Sequence, residues 1–438
     1  MKNHSKTFFS YAMGCRVNEA EKEVFDRRLT EAGFTYTPDV PSIYIFNSCA
    51  VTGKAERETR QHIYQIRKKY PKTMIVVTGC SATYWKKLGR NTSLPVDLLI
   101  DNSDKQYLVK MIINRFLQPY VRNLPGCVRS RIKIKNISNK FLRSGRAMIK
   151  IQDGCQRFCS YCIVPYLRGL PKSNLIKDIV KEINSLKNIK EIVLTAINTE
   201  AFGYDTKESL IDLIDAVIYK TKIPRISFGS IHPWSIDRKF IDYYRSIKSK
   251  NRLANFFHVP LQSGSDKILK LMKRDYSVKD FAWKINAIKK VNPFAMVATD
   301  VIVGFLGETG GEFQKTYKFL EKTPIDRFHI FRFSSRDNTA VYHMKERLSE
   351  APPDVKIKRA KALADLSQKK YNQFLQFLAD NNYRSSSLFL DKFENGHQQA
   401  LLDNQVPVWI KTDKSLTGEM KNVQVNKITA DRLSGELI

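Results

Sequence analysis

Residues 147–162 have the sequence AMIKIQDGCQRFCSYC, and this stretch decides the fold of the central part of the chain. Its first half, Met148–Gln152, has β-branched residues at alternate positions and predicts a β-strand. Three cysteines follow directly with the spacing Cys155-x-x-x-Cys159-x-x-Cys162. The chain has seven cysteines at irregular separations, which argues against a disulfide framework and for thiols that bind metal or react.

Two kinds of metal site could use thiols at this density. Structural zinc takes four ligands, usually as two separated pairs, and no nearby cysteine or histidine completes such a set within this loop. Three thiolates fit a 4Fe-4S cluster with one iron left open for a small ligand. We therefore expect a reactive 4Fe-4S cluster on Cys155, Cys159 and Cys162, with zinc as the alternative.

Downstream of this loop, apolar strands and amphipathic helices continue to alternate. The predicted strands are Met148–Gln152, Glu191–Thr195, Arg225–Gly229, Asn255–Pro260, Ala298–Gly304 and Arg327–Phe333. Six parallel strands without an obvious seventh or eighth predict a partial α/β barrel, in which chemistry belongs at the carboxyl ends of the strands. A long amphipathic helix, about Val355–Asn381, is expected to close this unit.

Upstream, the first hundred residues predict a small α/β domain with a doubly wound parallel sheet. Its expected strands are Phe8–Ala12, Ser42–Asn47, Met74–Thr78 and Asp97–Ile100, and Asn18 and Thr52 are the expected N-caps of two helices. Each of three cysteines, Cys15, Cys49 and Cys80, lies just beyond one of these strands. The carboxyl ends of such strands converge on one edge, so we expect the three thiols to meet. They form either a second three-thiolate cluster or three small buried residues.

The remaining segments differ in character from both units. Residues 119–145 carry proline, glycine and many basic residues and predict a linker, in which Cys127 is an incidental thiol. Residues 383–438 contain short alternating strands separated by turn residues, which predicts a small β-barrel or sheet. We accordingly expect domains at 1–118, 146–382 and 383–438, joined by the linker 119–145.

Charge is the unusual feature of the composition. The 438 residues include 74 Lys+Arg and 43 Asp+Glu, a formal net charge of +31, which favours a nucleic-acid partner over compositional drift. Candidate phosphate contacts are Arg57, Arg60, Arg67, Lys68, Lys69, Arg129, Arg131, Lys133 and Lys135, with solvated charge as the alternative at each. No stretch approaches the ~18 apolar residues of a membrane span, and the start lacks the features of a signal peptide, so we expect a cytoplasmic protein.

Several motifs together resemble the radical S-adenosylmethionine (SAM) methylthiotransferase family over essentially the whole chain. The matching stretches are GCRVNEAE (14–21), NSCAVTGKAERETRQ (47–61), VTGCSA (77–82), DGCQRFCSYCIVPYLRG (153–169), EIVLTAIN (191–198), HVPLQSGSDKILKLMKRDYS (258–277) and TDVIVGF (299–305). The tail is similar to the TRAM domain, an RNA-binding β-barrel of these enzymes. The sequence around the central cysteines is most similar to that of the branch that modifies N6-threonylcarbamoyladenosine in tRNA.

The resemblance implies two 4Fe-4S clusters and two SAM molecules per turnover. Cys155, Cys159 and Cys162 would hold the cluster that binds SAM, and Tyr161 could lie over the SAM adenine. Cys15, Cys49 and Cys80 would hold the second cluster, which presents the sulfur. The enzyme would act on tRNA as a monomer, with an external electron donor and an external sulfur source.

Other functions stay open at this point. Ala196, His232 and Leu306 depart from the residues usual in the family, which leaves the contacts to SAM and to the base unassigned there. The isopentenyl-adenosine branch is the nearest rival, and the high positive charge disfavours the branch that modifies a ribosomal protein. A different class of function is an RNA-binding iron-sulfur protein without turnover.

Overall fold

The computed structural model describes residues 6–89, 93–121, 144–248, 252–429 and 432–438. The chain folds into two compact units, one of residues 1–141 with 162–170 and one of residues 142–161 with 171–438. Most of the predicted linker, with Cys127, Arg129, Arg131, Lys133 and Lys135, lies outside the described residues.

The first unit is a parallel sheet with helices on both faces. Its elements are β1 (Thr7–Ala12), α1 (Arg16–Glu31), β2 (Thr35–Tyr36), β3 (Ile43–Ser48), α2 (Gly53–Lys69), β4 (Met74–Gly79), α3 (Cys80–Lys87), β5 (Leu98–Leu99), α4 (Leu108–Val121) and α5 (Val164–Arg168). The strand order is β2-β1-β3-β4-β5, and every pairing is parallel. This is the predicted doubly wound architecture.

Alternate residues of the central strands supply the two hydrophobic layers. Ile43 and Ile45 of β3 pack with α1 and α4 on one face, whereas Phe46 of the same strand packs with α2 and α3 on the other. A strand buried on both faces is a nearly continuous apolar run, which is why IYIFN was recognisable. Ile163 and Leu167 from α5 join the second layer, so this segment belongs to the sheet unit although it follows the cysteine loop in the chain.

The second unit contains the six predicted parallel strands. Its elements up to the long helix are β6 (Arg146–Asp153), β7 (Lys172–Ser173), α6 (Ile176–Ser185), β8 (Glu191–Ala196), α7 (Leu210–Lys220), β9 (Arg225–Phe228), α8 (Arg238–Ile247), β10 (Phe256–His258), α9 (Asp266–Leu271), α10 (Val278–Val291), β11 (Met296–Val303), α11 (Gly310–Lys322), β12 (Arg327–Arg332), α12 (Ala340–Met344) and α13 (Pro353–Asp380). Two sheets, β7-β6-β8-β9 and β10-β11-β12, are joined by a parallel bridge between Ile226 and Leu253. The short β7 is antiparallel and was not predicted.

The tail of the second unit forms five strands in a closed order. These are β13 (Arg384–Glu394), β14 (His397–Leu401), β15 (Pro407–Lys411), β16 (Met420–Thr429) and β17 (Arg432–Leu437), arranged β13-β14-β15-β17-β16 with β16 returning to β13. Closure removes unpaired sheet edges. The Arg225 guanidinium, at the start of β9, donates to the carbonyls of Leu401 and Leu402 at 3.1 and 3.0 Å, which fixes the tail against the larger sheet.

Among the described residues, no helix is both long enough and apolar enough to cross a membrane.

Candidate functional site

Three cysteines meet at one edge of the sheet unit. Cys15 is the N-cap of α1 just after β1, Cys49 follows β3, and Cys80 begins α3 directly after β4. Strands β1, β3 and β4 are neighbours, so their carboxyl ends lie side by side. Burial, with Cys80 nearby, raises the pKa of the Cys49 thiol to about 12, and burial likewise raises the pKa of Cys15. The thiols therefore lie close enough to influence one another, as the sequence predicted.

Gly14 shows how closely the first two of these loops approach. Its φ is +87°, and a Cβ built at this position would lie 2.5 Å from the Cys49 Sγ. A side chain at residue 14 would thus combine backbone strain with a clash against a candidate ligand. The donor set fits an iron-sulfur cluster, because a buried thiol loses its proton when it binds a metal ion and becomes a thiolate ligand.

A buried charged network lies next to these thiols. The Glu21 carboxylate, on α1, accepts from Lys105 Nζ at 2.6 Å and from Arg168 at 3.1 Å. Lys105 also donates to Asn47 Oδ1 at 3.0 Å, and Arg168 donates to Asn18 Oδ1 at 2.7 Å. The side chains of Arg168, Glu21 and Lys105 are only 1, 5 and 7% exposed.

One expectation changes because of this network. The N-cap of α1 is Cys15, and the Asn18 amide instead donates to the carbonyls of Met13 and Ser48 at 2.7 and 3.1 Å. Asn18 as N-cap was therefore wrong, since its amide is needed to tie two cysteine loops together. Thr52 does cap α2, accepting from the Ala55 N–H at 3.2 Å.

The cysteine loop of the second unit is anchored by an arginine between two of its cysteines. The Arg157 guanidinium pairs with Glu200 and Asp275 and lies 4.2 Å from the centre of the Trp234 ring. Its backbone N–H points to the Cys155 Sγ at 3.5 Å. Burial raises the pKa of Cys155, and the nearby Cys159 adds to the effect, so these two thiols are also close. Cys162 is half-buried and belongs to the sheet unit.

The end of the loop is held by hydrogen bonds to two backbone carbonyls. Ser160 donates its N–H to the Met272 carbonyl at 3.1 Å and its hydroxyl to the Leu271 carbonyl at 2.7 Å. The half-buried Tyr161 ring meets Phe305 edge-on, with centroids 6.2 Å apart. These contacts hold the end of the loop against other residues of the second unit.

The three positions Ala196, His232 and Leu306 lie in different surroundings. Leu306 is fully buried in an apolar cluster, and Ala196 is the last residue of β8. The loss of water around His232 lowers the pKa of its imidazole to about 3, with the Arg274 cation as the next cause. The neutral ring accepts the Thr199 N–H on Nδ1 at 3.3 Å.

A polar group on neighbouring barrel strands was not assigned from the sequence. His258 Nε2 and His329 Nδ1 lie 2.9 and 3.3 Å from the same oxygen of Asp300. Burial alone would raise the pKa of Asp300, but the two imidazoles outweigh it and hold that pKa well below its ordinary value. Two imidazole N–H groups donating to one carboxylate explain the arrangement without a metal ion.

Of the basic residues predicted on α2, some have partners inside the unit. Arg60 pairs with Glu56 at 2.7 Å, and Arg67 pairs with Asp97 at 2.5 Å. Arg57, Lys68 and Lys69 are exposed. The three exposed cations are the stronger candidates for phosphate contacts.

Comparison with known proteins finds matches for the sheet unit and for the second unit. The sequence model of the radical SAM superfamily matches residues 149–320, and that of the uncharacterized protein family UPF0004 matches residues 7–101. The threonylcarbamoyladenosine tRNA methylthiotransferase MtaB of Aquifex aeolicus is 32% identical over 370 residues, which cover 83% of this chain and 88% of that protein. The chain belongs to the radical SAM methylthiotransferase family. It is an enzyme that transfers a methylthio group, and membership of the superfamily implies a 4Fe-4S cluster and SAM.

Other relatives of this methylthiotransferase differ in their named substrate. The tRNA-2-methylthio-N(6)-dimethylallyladenosine synthase of Petrotoga mobilis is 32% identical over 449 residues, covering 98% of this chain and 99% of that protein. The radical SAM methyltransferase TsrM of Kitasatospora setae has a similar fold, with a TM-score of 0.51, 13% identity and 75% of each chain covered.

Proposed function

We propose that this methylthiotransferase adds a methylthio group to carbon 2 of N6-threonylcarbamoyladenosine next to the anticodon of tRNA. The observation that carries the proposal is the meeting of Cys15, Cys49 and Cys80 in a family member that also has the three-cysteine loop. Three thiols at each of two places provide for two clusters, each with an open iron.

Each set of cysteines has its own task in this proposal. Cys155, Cys159 and Cys162 would hold the cluster that binds SAM, and Tyr161 would contact the SAM adenine. The bound cofactor would supply a carbon radical, which is needed because the C–H bond at carbon 2 of adenine is too weakly acidic for a side-chain base. Cys15, Cys49 and Cys80 would hold the second cluster, which would supply the transferred sulfur, and a second SAM would provide the methyl group.

The polar group in the barrel favours the threonylcarbamoyl substrate over the isopentenyl one. The His329 side chain is 51% exposed, and Asp300 is ionised at neutral pH because its pKa is lowered. An apolar isopentenyl group placed against these side chains would remove their water without replacing its hydrogen bonds. The hydroxyl and amide N–H groups of a threonylcarbamoyl group can donate hydrogen bonds to such acceptors.

Positive charge would serve the binding of tRNA. Arg57, Lys68 and Lys69 are exposed on α2, and the closed five-stranded tail offers a second surface for RNA. The enzyme would act in the cytoplasm as a monomer, with electrons and sulfur delivered by external donors.

The test is mass spectrometry of tRNA nucleosides after anaerobic incubation with SAM, reductant and sulfide. Separate reactions contain tRNA with threonylcarbamoyladenosine and tRNA with isopentenyl-adenosine. We expect the methylthio product on the first. Product on the second alone would move the enzyme to the other branch, and full iron loading without 5′-deoxyadenosine would indicate a binding protein without turnover.

A further inference from the structure

The network of Glu21, Lys105 and Arg168 is costly to bury. Each of these ions loses several kcal/mol of hydration in an interior, and a well-packed apolar set of similar size is often at least as stable. Two cations share the one carboxylate that bridges them, Glu21 Oε2 accepting from Lys105 and Oε1 from Arg168. Fold stability alone is therefore a weak explanation for placing three ions here.

The position of the two cations relates them to the three thiols. Arg168 donates to Asn18 Oδ1 at 2.7 Å, and the Asn18 amide donates to the carbonyl of Ser48, the residue before Cys49, at 3.1 Å. The Asn102 amide donates to the carbonyl of Leu167, the residue before Arg168, at 3.1 Å and lies 3.9 Å from the Cys80 Sγ. Because the surroundings are buried, electrostatic interactions here are screened much less than they would be at the surface. Every thiol of the sheet site therefore has a fixed cation within electrostatic reach.

Glu21 opposes these cations at the same place. It acts on Cys15 with the opposite sign and also bonds both cations directly. Reduction of an iron-sulfur cluster adds one negative charge, and the reduction potential depends on the charge and hydrogen bonding around the cluster. Buried cations beside the cluster favour the added electron, and a buried carboxylate disfavours it.

We propose that Arg168 and Lys105 raise the reduction potential of the sheet site and that Glu21 limits the rise, so that the network sets how readily this site accepts an electron. The inference rests on the proposed function, because it requires a cluster on Cys15, Cys49 and Cys80. The electron comes from the external one-electron donor and stays on the cluster, with no bond made or broken in the protein. All three residues act on the reduction potential through their charge, without contacting the reacting atoms.

The test is a redox titration followed by electron paramagnetic resonance, with dithionite as the one-electron reductant. The full-length protein carries Cys155→Ala and Cys159→Ala, so that only the sheet site gives a signal. Arg168→Gln should disfavour reduction about tenfold, which is 59 mV for a one-electron couple. Glu21→Gln should shift the potential upward by a similar amount, and Arg168→Lys should keep most of the parent value.

Arg28→Gln is the matched control. Arg28 is exposed and lies on the same helix as Glu21, so water screens its charge and the potential should not move. Unchanged potentials in loaded Arg168→Gln and Glu21→Gln proteins would overturn the inference, as would shifts of the same sign in both. If Arg168→Gln does not load, Glu21→Gln decides: an upward shift of the potential supports the inference, and an unchanged or lowered potential overturns it.

Iron and sulfide counts on the parent separate the two levels of the argument. A parent protein with no cluster at the sheet site overturns the proposed function and this inference with it. If the parent is fully loaded and substitutions in the network leave the reduction potential unchanged, only the inference is overturned.

Discussion

The sheet site and the loop site gather three cysteines each, but by opposite means. Cys155, Cys159 and Cys162 lie within eight residues of one another, so any loop of that sequence keeps them near. Cys15, Cys49 and Cys80 are far apart in the chain and are brought together by the pairing of β1, β3 and β4. The loop site depends on local chain geometry and on the Arg157 anchor, whereas the sheet site exists only after a whole unit has folded.

The sharpest separation of the two sites comes from removing one thiol of each. Cys155→Ala should abolish both 5′-deoxyadenosine and the methylthio product, because SAM cleavage requires the loop cluster. Cys49→Ala should abolish the methylthio product alone. Each loss should exceed the roughly 10–100-fold cost of an outer-shell change. Both products are measured by mass spectrometry of the same reaction.

The seventh cysteine provides the control for that experiment. Cys127→Ala should leave both products at the level of the unmodified protein, since Cys127 belongs to neither group of three cysteines. Methylthio product from Cys49→Ala would show that the sheet site does not take part in sulfur transfer.

Gly14→Ala should damage the sheet site and spare the loop site. The new Cβ would lie 2.5 Å from the Cys49 Sγ at a φ of +87°, so the two loops cannot keep their approach. We expect iron content to fall by about half, since one of the two proposed clusters is lost. The measurement is iron per protein after reconstitution, together with 5′-deoxyadenosine formation, which should persist.

Gly33→Ala isolates the backbone contribution. Gly33 has nearly the same φ, +85°, but an added Cβ would have nothing within 4 Å. This variant should lose about 1–2 kcal/mol of stability through the strain of a positive φ and keep its iron. Equal iron loss in both variants would contradict a role for the contact with Cys49.

Arg157→Gln should weaken the loop site and leave the sheet site loaded. The change removes both ion pairs, to Glu200 and Asp275, and the stacking on Trp234. Loss of such an outer-shell partner typically costs 10–100-fold, so we expect SAM cleavage to slow by about that factor. Arg245→Gln, which breaks an exposed pair with Asp242, should not change the rate. An unchanged rate of SAM cleavage in Arg157→Gln would mean that the loop does not need its anchor.

The last effect concerns acid stability near the loop site. The pKa of His232 is lowered to about 3 in the folded protein, so below its ordinary value of about 6.5 the unfolded chain binds the proton more readily. Stability should therefore fall as pH drops from about 6.5 toward 3, by at most about 1.4 kcal/mol per pH unit from this residue. His232→Gln should make that decline shallower, which thermal unfolding of metal-free protein at several pH values will show. An identical slope in the two proteins would contradict a buried neutral imidazole.

The sequence predicted the features that depend on local pattern. The six barrel strands were placed to within a few residues, because each is a short segment with several β-branched or aromatic residues. The meeting of Cys15, Cys49 and Cys80 followed from the geometry of parallel strands. The two-residue strands β2 and β7 are too short to show a period and were missed.

Long-range pairing of charges was beyond sequence reasoning. Glu21 lies in the quoted GCRVNEAE stretch, three residues beyond Asn18 on the same face of α1, and that spacing was a usable signal. Lys105 gave none, because a single lysine before a helix is usually solvated. The pairing of Arg168 with Glu21 became visible only when α5 was placed on the sheet unit.

The assignment of residues 162–170 to the sheet unit also bears on how the protein folds during synthesis. The unit is interrupted in the chain, so its last helix is made only after residues 142–161 have been translated. Until Arg168 emerges from the ribosome, Glu21 lacks one of its cations, and the apolar surface around Trp85 lacks Ile163 and Leu167. A nascent chain ending near residue 141 should therefore expose an apolar surface that chaperones can bind. The sheet unit should become protease-resistant only once synthesis passes residue 170.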